Sequence, residues 1–348
     1  MRPYLTGDIS PAGGSFKVAL EDFEVEEVPA YDPTGQGEHV FLWVEKRGVA
    51  HRDMIRILYQ HLGATDRDVS TAGMKDRFGI TRQFVCVHRK FEPALATFSH
   101  PQVKILSARR HGNKLKTGHL RGNRFVVVLR DVKDVSAAEA ALKRITEVGL
   151  PNWFGMQRFG ARGDNAEVGK RILLGEKLSL PHFKRRLMLS AFQSSLFNEV
   201  LARRIAAGTL ATAQSGDVLK KHGSNGEFVC TSVAIDQPRV TSFEVSPTGP
   251  MFGPEMRAPE GAPRELEQAV LAQAGLTPEA FKLGGRDTLG TRRFLRVPVT
   301  EAVLEHAAPH VRLRFALPAG SYASELVREL VKPGANADAL PDDETTEE

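Results

Sequence analysis

Thr71-Ala72-Gly73-Met74-Lys75-Asp76-Arg77-Phe78-Gly79-Ile80-Thr81 sets one carboxylate between two cations, in a short run bracketed by glycines. From Ile80 to Val87 the chain is rich in β-branched and aromatic residues and free of proline, which predicts a strand. Asp76 is therefore expected on a tight loop entering that strand. Lys75 and Arg77 would hold its carboxyl in the charged form, because an opposite charge nearby lowers a carboxylate pKa. Gly73 and Gly79 let the backbone take unusual angles and come close to a ligand. An exposed, ionised aspartate on a rigid scaffold suits a nucleophile. Taken as residues alone, the same run also reads as a solvated turn, since short motifs often match by chance.

Upstream, residues 14–48 read as strands in series: Ser15 to Leu20, then Phe23 and Val25 alternating with acids, then His39 to Val44. Tyr31-Asp32-Pro33-Thr34-Gly35-Gln36-Gly37 is turn chemistry between them. Lys17 is a polar exception in the first strand and reads as solvated. Met54, Ile55, Leu58, Tyr59 and Leu62 recur at helical spacing, so His51 to Leu62 is predicted helical, with Gly63 as its stop. His51 and His61 lack a partner at metal spacing and read as surface or capping residues.

Downstream, Val135 to Val148 is a second predicted helix, broken by Gly149-Leu150-Pro151. Ser190 is the expected N-cap of a long helix ending near Ala207. Lys220 to Phe228 carries the Asn-Gly signal of a hairpin. Thr248 to Pro254 is expected as a Gly/Pro loop, and Arg264 to Gln273 as a polar helix. Val311, Leu313, Phe315 and Leu317 alternate with Arg312 and Arg314, the pattern of a half-buried strand. Pro318-Ala319-Gly320-Ser321 then turns the chain into a helix near Tyr322.

The 348 residues suit one large or two ordinary domains, and 41% hydrophobic with 26% charged is a soluble globular composition. No apolar run approaches the roughly 20 residues of a membrane helix, and the N-terminus lacks the apolar core of a signal peptide. Cys86 and Cys230 lie in apolar, strand-like runs and are expected as buried thiols. The absence of a disulfide framework or zinc spacing fits a reducing cytoplasm. No phosphate loop, metal motif or cofactor motif is found, so neither a metal nor a cofactor is expected.

The charge is unevenly placed. Asp342, Asp343, Glu344, Glu347 and Glu348 put five acids in the tail, which leaves residues 1–341 at +10 against +5 for the whole chain. A basic body suggests a polyanionic partner. Lys104, Arg109, Arg110, Lys114, Lys116, Arg121, Arg124 and Arg130 follow one another with no acid between Glu92 and Asp131. A charge run is commonly a solvated face, but one with no acid in it favours phosphate contact and hence RNA. Gly122-Asn123-Arg124-Phe125 closes the run. Asn123 can pair with a uracil edge, and Phe125 can stack on a base; the plainer reading makes them a turn residue and a core residue. Arg286, Arg292, Arg293 and Arg296 form a second basic group, either solvated or lining a cleft, with a slight preference for the cleft.

Ala72-Gly73-Met74-Lys75-Asp76-Arg77 with Thr81 and Gln83 resembles the catalytic motif of the TruD family of tRNA pseudouridine synthases. Four more segments resemble that family in the same order: Phe16-Lys17 with Glu21-Asp22-Phe23; Gly122 to Phe125; Pro151 to Gly160; and Leu317 to Ala323 running into Val327-Arg328-Glu329-Leu330. The resemblance implies an α+β fold, with a mixed, mainly antiparallel sheet interrupted by an inserted domain. Residues 1–148 and 298–334 would form the catalytic domain, 149–297 the insertion, and 335–348 a disordered acidic tail. It implies Asp76 as the catalytic carboxylate and Lys17, Lys75, Arg77, Asn123, Phe125 and Tyr322 as residues that meet the substrate. Tyr322 stands where the family usually has phenylalanine; it keeps the aromatic face and adds a hydroxyl.

The implied reaction turns one uridine of tRNA, at position thirteen in the D arm, into pseudouridine, by a cytoplasmic, monomeric enzyme without cofactor. The rival reading is a non-catalytic RNA-binding protein or RNA chaperone, which explains the charge but does not require a Lys-Asp-Arg loop. A metal-dependent nuclease would need several clustered carboxylates, and this motif supplies one.

Overall fold

The computed structural model describes residues 2–160, 162–224, 226–307 and 310–332, so the acidic tail lies outside the described residues. Two compact units are formed. One takes Pro11–Glu139, Val299–Ala323 and the described residues from Leu330 on; the other takes the N-terminal residues to Ser10, Ala140–Pro298 and Ser324–Glu329.

The first unit begins with β1 (Phe23–Pro29), β2 (His39–Arg47), α1 (His51–His61), β3 (Ser70–Thr71), β4 (Ile80–His88), β5 (Val103–His111) and β6 (Leu120–Leu129); α2 (Val135–Val148) follows and is divided between the two units after Glu139. β1 and β4 run parallel, with Glu24 opposite Ile80, while β6 lies antiparallel on the other side of β1. β4 is buried on both faces, as its near-continuous apolar run dictates. Val85 and Val87 pack with Val40, Leu42 and the α1 residues Met54 and Leu58. On the opposite face Phe84 and Cys86 pack with Phe41, Ala72 and Leu115. The expected strand from Ser15 to Leu20 is instead a series of bends, because Lys17 takes a positive φ of 58° that no strand accommodates.

In the second unit β7 (Leu150–Pro151) leads to α3 (Asn165–Leu173), α4 (His182–Ala206), β8 (Val218–Lys221), β9 (Glu227–Val229), α5 (Val233–Thr241), β10 (Val245–Met251), α6 (Gly261–Gln273), β11 (Thr291–Phe294) and β12 (Arg296–Val297). α4 brings Phe192, Phe197 and Leu201 against Trp153, Leu271 and Phe281. Three expectations are corrected here. α4 begins at His182 after Pro181, so Ser190 lies inside the helix rather than capping it; nothing between Pro181 and Ser190 breaks a helix. The Gly/Pro stretch from Thr248 joins strand β10, where Gly249 permits close packing against Phe197 and Leu295. Arg292 and Arg296 line no cleft: they are 3% and 0% exposed. Arg292 pairs with Glu267 at 2.7 Å, and Arg296 donates to the carbonyls of Val148 and Val240.

β13 (Thr300–Ala307) and β14 (His310–Pro318) then complete the first unit's sheet, followed by α7 (Ala323–Val331). Among the described residues its order is β13-β14-β6-β1-β4-β2-β5, with β3 pairing on β4. The sheet is mixed and mainly antiparallel, as expected.

Candidate active site

The central strands set out the site. β1 lies between β4 and β6. Ile80 at the start of β4 stands opposite Glu24, whereas Leu120 at the start of β6 stands opposite Pro29 at the other end of β1; the loop entering β4 spans the two, with Gly73 beside the Leu120 side chain and Lys75 on Glu27. Glu27 on β1 stands opposite Asn123 on β6, and Leu317 on β14 stands opposite Asn123 on its other side. The Ala319 N–H donates to the Arg121 carbonyl, which carries the chain round to Tyr322 at the same edge. Gly122 allows β14 this close: a Cβ there would lie 2.2 Å from the Leu317 carbonyl oxygen. Gly79 ends the loop at φ 110°, with no room for a Cβ beside the Phe23 carbonyl.

Asp76 lies on the expected loop, its side chain 40% exposed, with the Lys17 ammonium 3.9 Å from Oδ2. That side chain of Lys17 is 7% exposed, so the cation is presented from inside the protein. Its Nζ also stands 4.5 Å from the centre of the Phe23 ring, where the π face stabilises a cation. Lys17 is thus not the solvated strand residue that its neighbours suggest. Asp22 clamps the bend that carries it, accepting the Ala19 N–H at 2.7 Å and a two-pronged guanidinium from Arg130 at 2.8 Å.

Lys75 does not stand beside the Asp76 carboxylate. Its ammonium turns inward to Glu27 Oε2 at 3.0 Å, with the two side chains 3% and 0% exposed. Consecutive residues of an extended loop point to opposite sides, so Lys75 goes in where Asp76 faces out. Glu27 also accepts the Phe84 N–H through Oε1 at 3.2 Å, which ties the loop to the middle of the sheet. Arg77 is exposed.

A second buried cation holds the loop from beneath. Lys46, fully buried at the end of β2, donates to the Asp76 backbone carbonyl. Nearby, His51 lies close to Thr71, 3.4 Å from its hydroxyl, and its Nδ1 is shut off from solvent without a partner. Burial, with the charges of Lys46 and Lys75, pushes the imidazole down to about 4. His51 is therefore a neutral packing group and not a surface residue.

Asn123 places its Oδ1 in the interior with no hydrogen-bond partner. Phe125 is 5% exposed and stacks on Phe315 at 5.3 Å, so its ring belongs to the core. Tyr322 is 38% exposed and offers an open aromatic face. Among the described residues no group of three or more His, Cys, Asp or Glu side chains is placed to hold a metal ion, and no helix is long and apolar enough to cross a membrane.

Lys46 and Glu27 were missed by motif reading, and Asp22 and Arg130, named in a motif and in the basic run, were not read as partners of one another. A signal existed for Lys46 and Glu27. Strand alternation puts Glu27 on the face of Phe23 and Val25, and Lys46 on the face of Val40, Leu42 and Val44. A charged residue in a buried register marks a partner to be found.

The family model described as tRNA pseudouridine synthase D (TruD) matches residues 1–179 and 177–330. A protein of Anaeromyxobacter sp. (strain Fw109-5) named tRNA pseudouridine synthase D is 44% identical over 98% of this chain and 99% of its own. One of the same name from Thermus thermophilus is 41% identical over 98% and 96%. The crystal structure of a tRNA pseudouridine synthase D (TruD) from Methanosarcina mazei superposes with a TM-score of 0.80, covering 96% of each chain at 24% identity, a likeness of fold. With the motif segments in order, the fold shared and the match running nearly end to end, the chain belongs to the TruD family of tRNA pseudouridine synthases.

Proposed function

We propose that the protein converts a uridine of tRNA to pseudouridine, the uridine at position thirteen of the D arm, with Asp76 as the catalytic carboxylate. Family membership supports the reaction class, and position thirteen follows the same resemblance. The observation that carries the residue assignment is the part-exposed Asp76 carboxylate with a desolvated ammonium, Lys17, 3.9 Å away. That ammonium favours the ionised carboxylate and meets the substrate's negative charge.

In the reaction the bond from ribose C1′ to uracil N1 breaks, the base turns, and C1′ joins C5. C5 loses its proton and N1 gains one, so the change is redox-neutral and the reading includes no cofactor and no metal. Asp76 serves by attacking C1′ or C6, or by taking a proton on the way to a glycal. Asn123, with its unpartnered acceptor, takes the uracil N3–H. Unstacking the target base costs a few kcal/mol, which the open ring of Tyr322 offsets, with Phe125 behind the pocket. Arg77, exposed next to Asp76, meets the backbone. Lys75 positions Asp76 through Glu27. The cations between Lys104 and Arg130 hold the tRNA. In this reading residues 1–148 and 298–334 are the catalytic domain, 149–297 the inserted one, and the enzyme works as a cytoplasmic monomer.

Pseudouridine mapping in unmodified tRNA tests this, with wild type and Asp76→Asn side by side. Wild type is expected to convert one uridine, and the variant to bind tRNA and convert none. Conversion by Asp76→Asn would remove Asp76 from the chemistry. Binding without conversion by wild type would leave only an RNA-binding protein.

A further inference from the structure

The first unit carries a cavity whose aromatic wall the proposed chemistry does not use, although its lysines belong to the basic run proposed to hold the tRNA. The cavity, of about 730 Å³, opens between the turn at Tyr31 and the loop that joins β5 to β6. Lys114, Lys116, His111 and His119 line it together with Tyr31, set against the acid Asp32. Its wall is built. The Tyr31 ring stacks on His111 with centroids 5.1 Å apart and planes at 23°. The Tyr31 hydroxyl lies 2.6 Å from His119 Nδ1, and the Lys116 N–H points at the same nitrogen from 3.4 Å. Burial raises the Tyr31 pKa, which keeps the phenol protonated.

The loop is also anchored to the catalytic loop. Leu115 is 2% exposed and packs with Ala72, while Lys114 and Lys116 on either side of it are exposed. The Gly118 N–H donates to the Ala72 carbonyl at 2.8 Å, and Ala72 is four residues before Asp76. Lys114 reaches the Arg67 carbonyl at 3.0 Å and borders a smaller basic cavity with His39, His88 and Lys90.

We propose that this cavity is a nucleotide site for the RNA substrate, separate from the target uridine. The phosphate sits on Lys116 and Lys114, and the base lies against the Tyr31–His111 wall. Cations beside stacked aromatic rings are the chemistry that recognises an unpaired nucleotide. The tether to Ala72 then registers the bound strand relative to Asp76. The inference rests on the RNA-substrate reading and deepens it, but not on which residue performs the chemistry.

The test is the affinity of full-length protein for unmodified tRNA across a salt series, with wild type, Lys116→Ala and Tyr31→Ala. Lys116→Ala is on an exposed side chain and leaves the core intact. Its tRNA Kd is expected to rise several-fold at low salt, and its log–log salt slope to shallow by about one. Tyr31→Ala is expected to weaken binding by about ten-fold. Wild-type Kd and slope in Lys116→Ala overturn the proposal. So does saturable binding of adenosine 5′-monophosphate at the cavity with tRNA affinity unaffected by either variant, which makes it a free-nucleotide site. Wild type that binds tRNA but forms no pseudouridine sinks the functional reading and leaves this binding test standing.

Discussion

Lys75→Met removes the ammonium that faces Glu27 and leaves a carboxylate with a 0% exposed side chain holding only the Phe84 N–H. Removing one partner of a buried ion pair costs about 3–5 kcal/mol, because the remaining charge stays desolvated. That is a large share of the roughly 5–15 kcal/mol that keeps a protein folded. Glu27→Gln added to Lys75→Met removes the stranded charge, while the glutamine oxygen keeps the Phe84 N–H bond. The double variant is expected to recover at least about half the loss of Lys75→Met, about 2 kcal/mol. Urea unfolding of wild type, both single variants and the double variant measures it from midpoints and slopes. Two probes are needed, since two compact units need not unfold together. The reasoning is refuted if Lys75→Met unfolds at the wild-type midpoint and loses only turnover. Lys75 would then act at the Asp76 carboxylate, as the Lys-Asp-Arg run suggests.

His51, held down to about 4, binds no proton in the fold while the unfolded chain protonates near 6.5. Its contribution is whole above pH 6.5 and is lost as pH falls from 6.5 toward 4, up to about 3 kcal/mol. His51→Gln is expected to flatten that part of the stability–pH curve, measured by urea melts at pH 7 and 4.5; an unchanged slope counts against the assignment. His222, also pushed down to about 4 by burial and the charge of Arg296, remains as background in both proteins. Gly79→Ala forces a Cβ to within 2.3 Å of the Phe23 carbonyl at a positive φ, and is expected to cost at least about 1 kcal/mol together with turnover. Gly112→Ala, with nothing within 4 Å of its Cβ, is the control and should stay within about 0.5 kcal/mol. Equal stability of the two glycine variants would place the β1–β4 junction elsewhere.

What the sequence determined by itself is local and periodic. The strand from Ile80, the helix at His51, the helix from Val135 and the alternation from Val311 to Leu317 follow from spacings of two and 3.6 that need no partner to be read. The family motifs proposed Asp76, Lys17 and Asn123 as site residues, and the structure sets the Lys17 ammonium 3.9 Å from Asp76. Tertiary structure alone decided which charges meet. Lys75 found Glu27, 48 residues away, instead of its neighbour in sequence. Lys46 and Arg296 were buried beneath backbone carbonyls, and the Lys17 bend was clamped by Asp22 and Arg130. An ion pair depends on distance and desolvation, and both are set by strand order. That order, with β1 between β4 and β6, comes from long-range pairing that no stretch of residues states.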